Sequence, residues 1–232
     1  MRIVTLLIVL LCLVGIATAE NPEFKTSTDP FNFSPARESF YSQLPAVTWG
    51  ALIASTGFES EMADDIPASF AGMEFNEVTF FHAQWGGVDF VAPDALVITV
   101  YDEACPPGMD PSTVFEIPYA ELETELLYSS SWYVYACKAT LPAMITITDA
   151  MSIGAYLDNS WGIDGPYNGL CYTDQGMVAG CDAYRDGAYW GWDRWTSMTE
   201  YFGYGVDLAY VLGTGTVANE PASWGTIKSL FR

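Results

Sequence analysis

Positive charge is what this chain of 232 residues has least of. Eight Lys and Arg stand against 29 Asp and Glu, and the formal net charge is −21 at pH 7. So acidic a chain offers no basic patch for a polyanion, which argues against nucleic acid and against an anionic membrane surface as partners. Histidine is scarcer still. His82 stands alone, and chemistry that needs two imidazoles is left without residues to perform it. No pair of cysteines has the CxxC spacing of a zinc site, and no serine sits in a GxSxG elbow. Charged residues make up 16% of the chain, below the roughly 25% of an ordinary soluble domain. Aromatic residues make up 15%, which argues against disorder.

The one long apolar run is at the start. Ile3 to Ile16 is almost uninterrupted, follows Arg2, and ends at Ala17-Thr18-Ala19. A basic start, a short apolar stretch and small residues at the cleavage positions predict a secretory signal peptide over residues 1–19, helical until cut before Glu20. The run falls short of the roughly 20 residues of a spanning helix. The expected location is therefore secreted, extracellular or cell-surface, with no transmembrane span after cleavage.

Cysteine usage predicts the same compartment. Cys12 leaves with the signal, and Cys105, Cys137, Cys171 and Cys181 remain. Four cysteines in an exported chain predict two disulfides, with three pairings open. Sequence neighbours are the simplest choice, Cys105 with Cys137 and Cys171 with Cys181.

The body divides by texture. Residues 20–45 are rich in Pro, Ser and Phe and lack periodicity, which predicts an extended leader lying across the domain surface. Residues 46–213 carry short alternating runs. In one, Thr79, Phe81, Ala83 and Trp85 face one way while Val78, Phe80, His82 and Gln84 face the other. In the next, Leu96, Ile98 and Val100 alternate with Val97, Thr99 and Tyr101. Further runs follow at 132–141, 144–148, 151–157 and 206–212. Period two, β-branched and aromatic residues, and turns of Gly, Pro, Asn and Asp predict an all-β domain of about seven to ten strands. Two packed antiparallel sheets, a β-sandwich, suit alternation of this kind. Residues 120–127 are the weakest point, since Ala120-Glu121-Leu122-Glu123-Thr124-Glu125-Leu126-Leu127 also reads as a short helix. Residues 214–232 are a flexible break and a tail. Trp224, Ile227 and Phe231 share one helical face there, and Lys228 and Arg232 lie near its end, so the tail reads as a short amphipathic element.

Two stretches are similar to a group of secreted bacterial β-sandwich proteins, mostly without assigned function. One is Ser60-Glu61-Met62-Ala63-Asp64-Asp65-Ile66. The other is Trp85-Gly86-Gly87 followed by Pro93-Asp94-Ala95-Leu96-Val97-Ile98-Thr99-Val100-Tyr101, with Trp190-Gly191-Trp192 further on. The resemblance covers roughly residues 46–213 and implies a jelly-roll sandwich on an exported protein. It brings no catalytic residues. The four cysteines and the insertion between Cys105 and Tyr128 depart from that group. The ending Ser223 to Arg232 resembles a short tail that recurs on exported proteins of some uncultured bacterial lineages, which implies a sorting tag.

Candidate chemistry is sparse. A triad would have to pass through His82, which lies mid-strand. No catalytic residue, cofactor or metal ligand is assigned. Acidic loops at 64–65, 158–168 and 182–186 supply the oxygen donors that a structural calcium ion takes, though Asp and Asn also populate ordinary turns. Aromatics are the most informative feature. Trp161, Tyr167, Trp190, Trp192 and Trp195, with Arg194 among them, are candidate ligand contacts of a glycan platform. The competing expectation is that these rings pack the core, and strand alternation leaves at most half of them exposed. The expected function is a non-enzymatic secreted or cell-surface module with a structural or adhesion role and glycan binding as its candidate activity. The alternative is an extracellular glycoside hydrolase or other carbohydrate-active enzyme working through paired carboxylates.

Overall fold

The computed structural model describes residues 24–36, 38–44, 49–87, 89–173, 180–191 and 195–215. The expected signal peptide and residues 216–232 of the tail lie outside them. The described chain is an all-β sandwich of two antiparallel sheets, with one α-helix among the described residues, α1 (Met198–Phe202).

The larger sheet is organised on β5 (Glu74–Trp85), a strand of 12 residues. Along one side β5 pairs with β9 (Tyr133–Thr146), which in turn carries β8 (Glu123–Ser129) at the edge. The other side is shared by two strands. β15 (Tyr210–Gly213) takes residues 77–80 and β11 (Tyr167–Thr173) takes residues 82–85. Beyond β11 come β3 (Trp49–Ile53) and β1 (Phe24–Ser27), while β2 (Ser39–Gln43) pairs with β15 and β14 (Asp207–Leu208) with β11. The smaller sheet runs β13 (Thr196–Ser197), β12 (Tyr184–Gly187), β4 (Ser60–Ile66), β10 (Met151–Asp158), β6 (Ala95–Tyr101), β7 (Thr113–Pro118).

Period-two alternation decides what each face buries. Val78 and Phe80 of β5 meet Leu96, Ile98 and Val100 of β6 and Met62 and Ile66 of β4 between the sheets. Phe81, Ala83 and Trp85 point to the opposite face of the larger sheet, where Trp49, Trp132 and Val134 form a second apolar layer. A sheet buried on both faces needs apolar residues at both phases of its central strand, and β5 supplies them. The leader covers this second layer. Phe31 sits edge-on to Trp49 and Phe81, and Phe33 edge-on to Phe81, with ring centroids 5.0 Å apart in each case. The leader also contributes β1 and β2, so strands from residues 20–45 are integral to the larger sheet.

Three differences from the sequence reading have physical causes. Residues 120–127 do not form an α-helix. A single 3-10 turn over Tyr119–Glu121 leads into β8, because β9 offers a free edge and Lys138 there meets Glu123 at 3.1 Å. The runs at 132–141 and 144–148 join into β9, and the run at 206–212 divides into β14 and β15 as it changes neighbours. The disulfide pairing also differs. Cys105 bonds to Cys181, 76 residues away, with Cα atoms 6.1 Å apart. Cys137 and Cys171 are buried free thiols. Both lie on strands of the larger sheet with their side chains packed into opposite apolar layers, out of reach of the loops beside the smaller sheet that carry Cys105 and Cys181.

Candidate functional site

His82 is wholly buried on β5 and faces the space between the sheets. Its Nε2 lies 2.9 Å from Asn168 Oδ1 and its Nδ1 2.8 Å from the Tyr119 hydroxyl. Gln84 fixes the proton order. It donates from Nε2 to Val91 O and accepts from Val91 N on Oε1, so Nε2 must be a donor to Asn168 Oδ1 as well. Asn168 therefore presents oxygen to His82, which carries its proton on Nε2. Tyr119 donates to Nδ1, and the Cys137 thiol lies 3.4 Å from the Tyr119 oxygen and donates to Tyr135 O at 3.8 Å. Burial pushes His82 down to about 4, against its bond to Asn168 Oδ1, and pushes the Cys137 thiol up to about 12, against the hydrogen bonds with Tyr119 and the His82 backbone. Cys, His and Asn are the residue types of a thiol nucleophile set, yet here a tyrosine separates thiol from imidazole. All members are neutral at pH 7 and neither sulfur nor ring has exposed surface. The constellation is a core network.

The outer face of the smaller sheet is different. Met62 and Ile66 of β4 point inward, so Glu61, Ala63 and Asp65 point out. Glu61 stands directly opposite Asp186 of β12, and Tyr156 of β10 follows on its other side. The three line a recess of about 270 Å³ together with Ser55, Thr56 and Glu59 from the turn before β4. Glu61 is only 8% exposed. Its Oε1 accepts hydrogen bonds from Thr99 Oγ1 and from Tyr101 OH, the latter at 2.9 Å. Gly154 makes room for this, since a Cβ there would lie 2.5 Å from Glu61 Oε1. Glu59 has φ 46°, the only positive φ outside glycine among the described residues. Burial, then Glu61, Asp158 and Glu116, raise the Tyr156 phenol above its ordinary range. The recess thus holds three carboxylates, hydroxyl groups and a neutral phenol.

The aromatic candidates separate. Trp190 stacks on Phe58 at 5.6 Å and lies under the Arg185 guanidinium, 4.2 Å from its centroid. Tyr167 packs on Phe58 and Trp85. Trp161 bonds through Nε1 to Pro166 O within its own loop and lies against Gly165. Trp195 stands apart, edge-on to Tyr101, with Nε1 bonded to Gly108 O. Trp192 and Arg194 lie outside the described residues. The structure brings Tyr167 and Trp190 together around Phe58, as half-buried packing rings, and places Trp195 elsewhere.

The acidic candidates for calcium have protein partners. Asp182 accepts from Val206 N at 2.7 Å and from Ser197 Oγ and Thr199 N, which ties down the start of α1. Asp158 accepts from Thr56 Oγ1 at 2.8 Å. Asp64 accepts from Gln43 Nε2, Leu208 N and Asp65 N. Asp65 accepts from Cys181 N at 2.6 Å and lies beside Cys105 and Cys181, whose sulfurs are spent on each other. The sequence reading singled out Ser60 to Ile66 but missed Glu61 as a site residue. Its signal was a charged residue in the outward phase of a strand whose inward phase is apolar. Its partner Asp186 lies on another strand and could not be assigned without the register.

Comparison of the chain with family models, curated proteins and solved structures finds no match. Among the described residues no helix is long and apolar enough to cross a membrane.

Proposed function

We propose that this protein is an exported, non-enzymatic β-sandwich module that binds a hydroxyl-rich ligand, a glycan, in the recess between Glu61, Tyr156 and Asp186. The observation that carries the reading is Glu61 itself. Like charges directly opposite on neighbouring strands are destabilising, yet Glu61 faces Asp186 and is clamped by two hydroxyl donors over a glycine. Carboxylates held at the rim of a recess accept hydrogen bonds from sugar hydroxyls, and the flank of Tyr156 offers an apolar surface beside them. Export is supported by the signal-like start and by the Cys105–Cys181 bond.

The facing carboxylates favour one second reading, glycoside hydrolysis with Glu61 and Asp186 as the acid and base or nucleophile pair. One experiment separates the two. The mature chain and its Glu61→Gln variant are applied to a glycan array, and any retained glycan is incubated with the protein and its products are chromatographed. Binding expects retention without cleavage and at least a tenfold loss in Glu61→Gln. Cleavage that vanishes in Glu61→Gln moves the assignment to the hydrolase. No retention removes the glycan and leaves a structural role.

A further inference from the structure

Tyr189 is the most exposed aromatic residue among those described, at 49%. Its ring is nonetheless fixed in place. It meets Phe58 at 5.1 Å and Trp190 at 5.3 Å between centroids, at interplanar angles of 73° and 78°. Phe58 and Trp190 stack on each other, 5° from parallel. Perpendicular and stacked contacts are the favourable geometries for aromatic pairs. Three rings in mutual contact give Tyr189 a defined seat, and half of its surface still faces outward.

The two segments that build this corner also build the Glu61 recess. Thr56 and Glu59 flank the 3-10 turn that ends at Phe58, and Asp186 stands three residues before Tyr189. Thr56, Glu59 and Asp186 all line the recess. β12 ends at Gly187, and a 3-10 turn over Ala188–Trp190 follows at once. Chain reach therefore keeps the Tyr189 Cα within about 11 Å of the Asp186 Cα. The recess itself is small. At about 270 Å³ it falls below the roughly 300–1,000 Å³ of a pocket that encloses a drug-sized ligand. It does not enclose an oligosaccharide, so every further sugar unit lies outside it, along the rim.

We infer that the Glu61 recess and the Tyr189 ring are two subsites of one binding surface, and that the ligand is an extended glycan chain and not a single sugar. The inference rests on the glycan reading of the recess and adds the length of the ligand to it. One unit is held through its hydroxyls by Glu61 and Asp186. A unit further along the chain lays the apolar C–H face of its ring on Tyr189. A tyrosine offers a large amphipathic surface with few rotatable bonds, and Phe58 and Trp190 already hold this one, so little freedom is lost when a sugar stacks on it.

The test offers the mature chain four oligosaccharide series in solution, cello-, malto-, xylo- and manno-, each of one to six units, with affinity read by titration calorimetry. In a series that binds, affinity is expected to rise at least about fivefold between one unit and four, the scale of one added ring contact. Tyr189→Ala is expected to abolish that rise and leave the single unit unchanged. Tyr189→Leu does the same while keeping apolar bulk against Phe58 and Trp190, which covers a failure of the alanine variant to fold. Tyr189→Phe keeps the rise, because the ring and not the hydroxyl is at work. Glu61→Gln weakens every length alike. Affinity independent of length overturns this inference and leaves the recess reading standing. So does a rise that survives in Tyr189→Ala and Tyr189→Leu, or a loss in those variants that is equal at all lengths. No binding by any series at any length overturns both.

Discussion

Two buried polar regions of this sandwich solve the same problem in opposite ways. Around His82 every group is neutral and the hydrogen bonds run from Tyr119 to His82 to Asn168, with the Cys137 thiol beside Tyr119 and Gln84 closing the end. Around Asp64 the groups are acidic. Asp64 is 1% exposed and receives three hydrogen bonds, yet burial, then Asp207 and Asp65, raise its carboxyl well above the usual range. The tyrosines beside it respond likewise. Tyr41 and Tyr210 are both raised, chiefly by burial. The contrast teaches that hydrogen bonds alone do not offset the upward shift that burial and neighbouring carboxylates give a buried carboxyl.

The acidic region also has a covalent clasp, since Asp65 holds the backbone of Cys181. The largest effect expected comes from removing it. A Cys105→Ser, Cys181→Ser chain frees a loop of 76 residues in sequence separation, and the chain-entropy account puts the loss at about 4 kcal/mol. Urea unfolding measures it. Thiol titration of the unreduced, unfolded mature chain should find the two thiols of Cys137 and Cys171, and a count of zero or four would refute the pairing.

Next in size is His82→Ala. It opens a cavity and removes one hydrogen-bond partner each from Tyr119 and Asn168, for an expected cost of about 3 kcal/mol at pH 7. The pH dependence sharpens the comparison. His82 has its folded value lowered to about 4 from 6.5, so the unfolded chain binds a proton first as pH falls. Stability is therefore lost between pH 6.5 and 4, by about 3 kcal/mol. Asp64 acts with the other sign. Its folded value is raised above 3.8, so its contribution is lost as pH rises through the folded value. Unfolding free energies across pH 4 to 8 should lose the acid-side slope in His82→Ala and keep it in any variant of the acidic region.

The smallest effect expected is a gain. Asp207→Asn removes the neighbouring charge, lowers the Asp64 value, and should stabilise the fold slightly more at pH 8 than at pH 4. A variant equally destabilised at both pH values would mean that packing, and not repulsion, governs the site.

The sequence foretold the faces of β5 residue by residue, because period two assigns sides even when both sides are buried. Leu96, Ile98 and Val100 were legible on the same ground. Residues 120–127 were not, since Glu and Leu favour a helix locally and only the edge of β9 makes them a strand. The disulfide was not legible either. Distance along the chain says little about which loops meet, and Cys137 and Cys171 are held inside strands. The recess around Glu61 was half legible. Its strand stood out in Ser60 to Ile66, but Asp186 and Tyr156 join it only through register, and Trp190 and Trp195, two of the tryptophans that suggested a site, pack against Phe58 and Tyr101.

β15 lies between β2 and β5, hydrogen-bonded to both. Traction along this strand from residue 215 loads both ladders together, in shear. Strain then spreads over many bonds at once, whereas an edge strand peels one bond at a time. For a molecule pulled from residue 215, that geometry makes β15 harder to draw out than an edge strand of the same length.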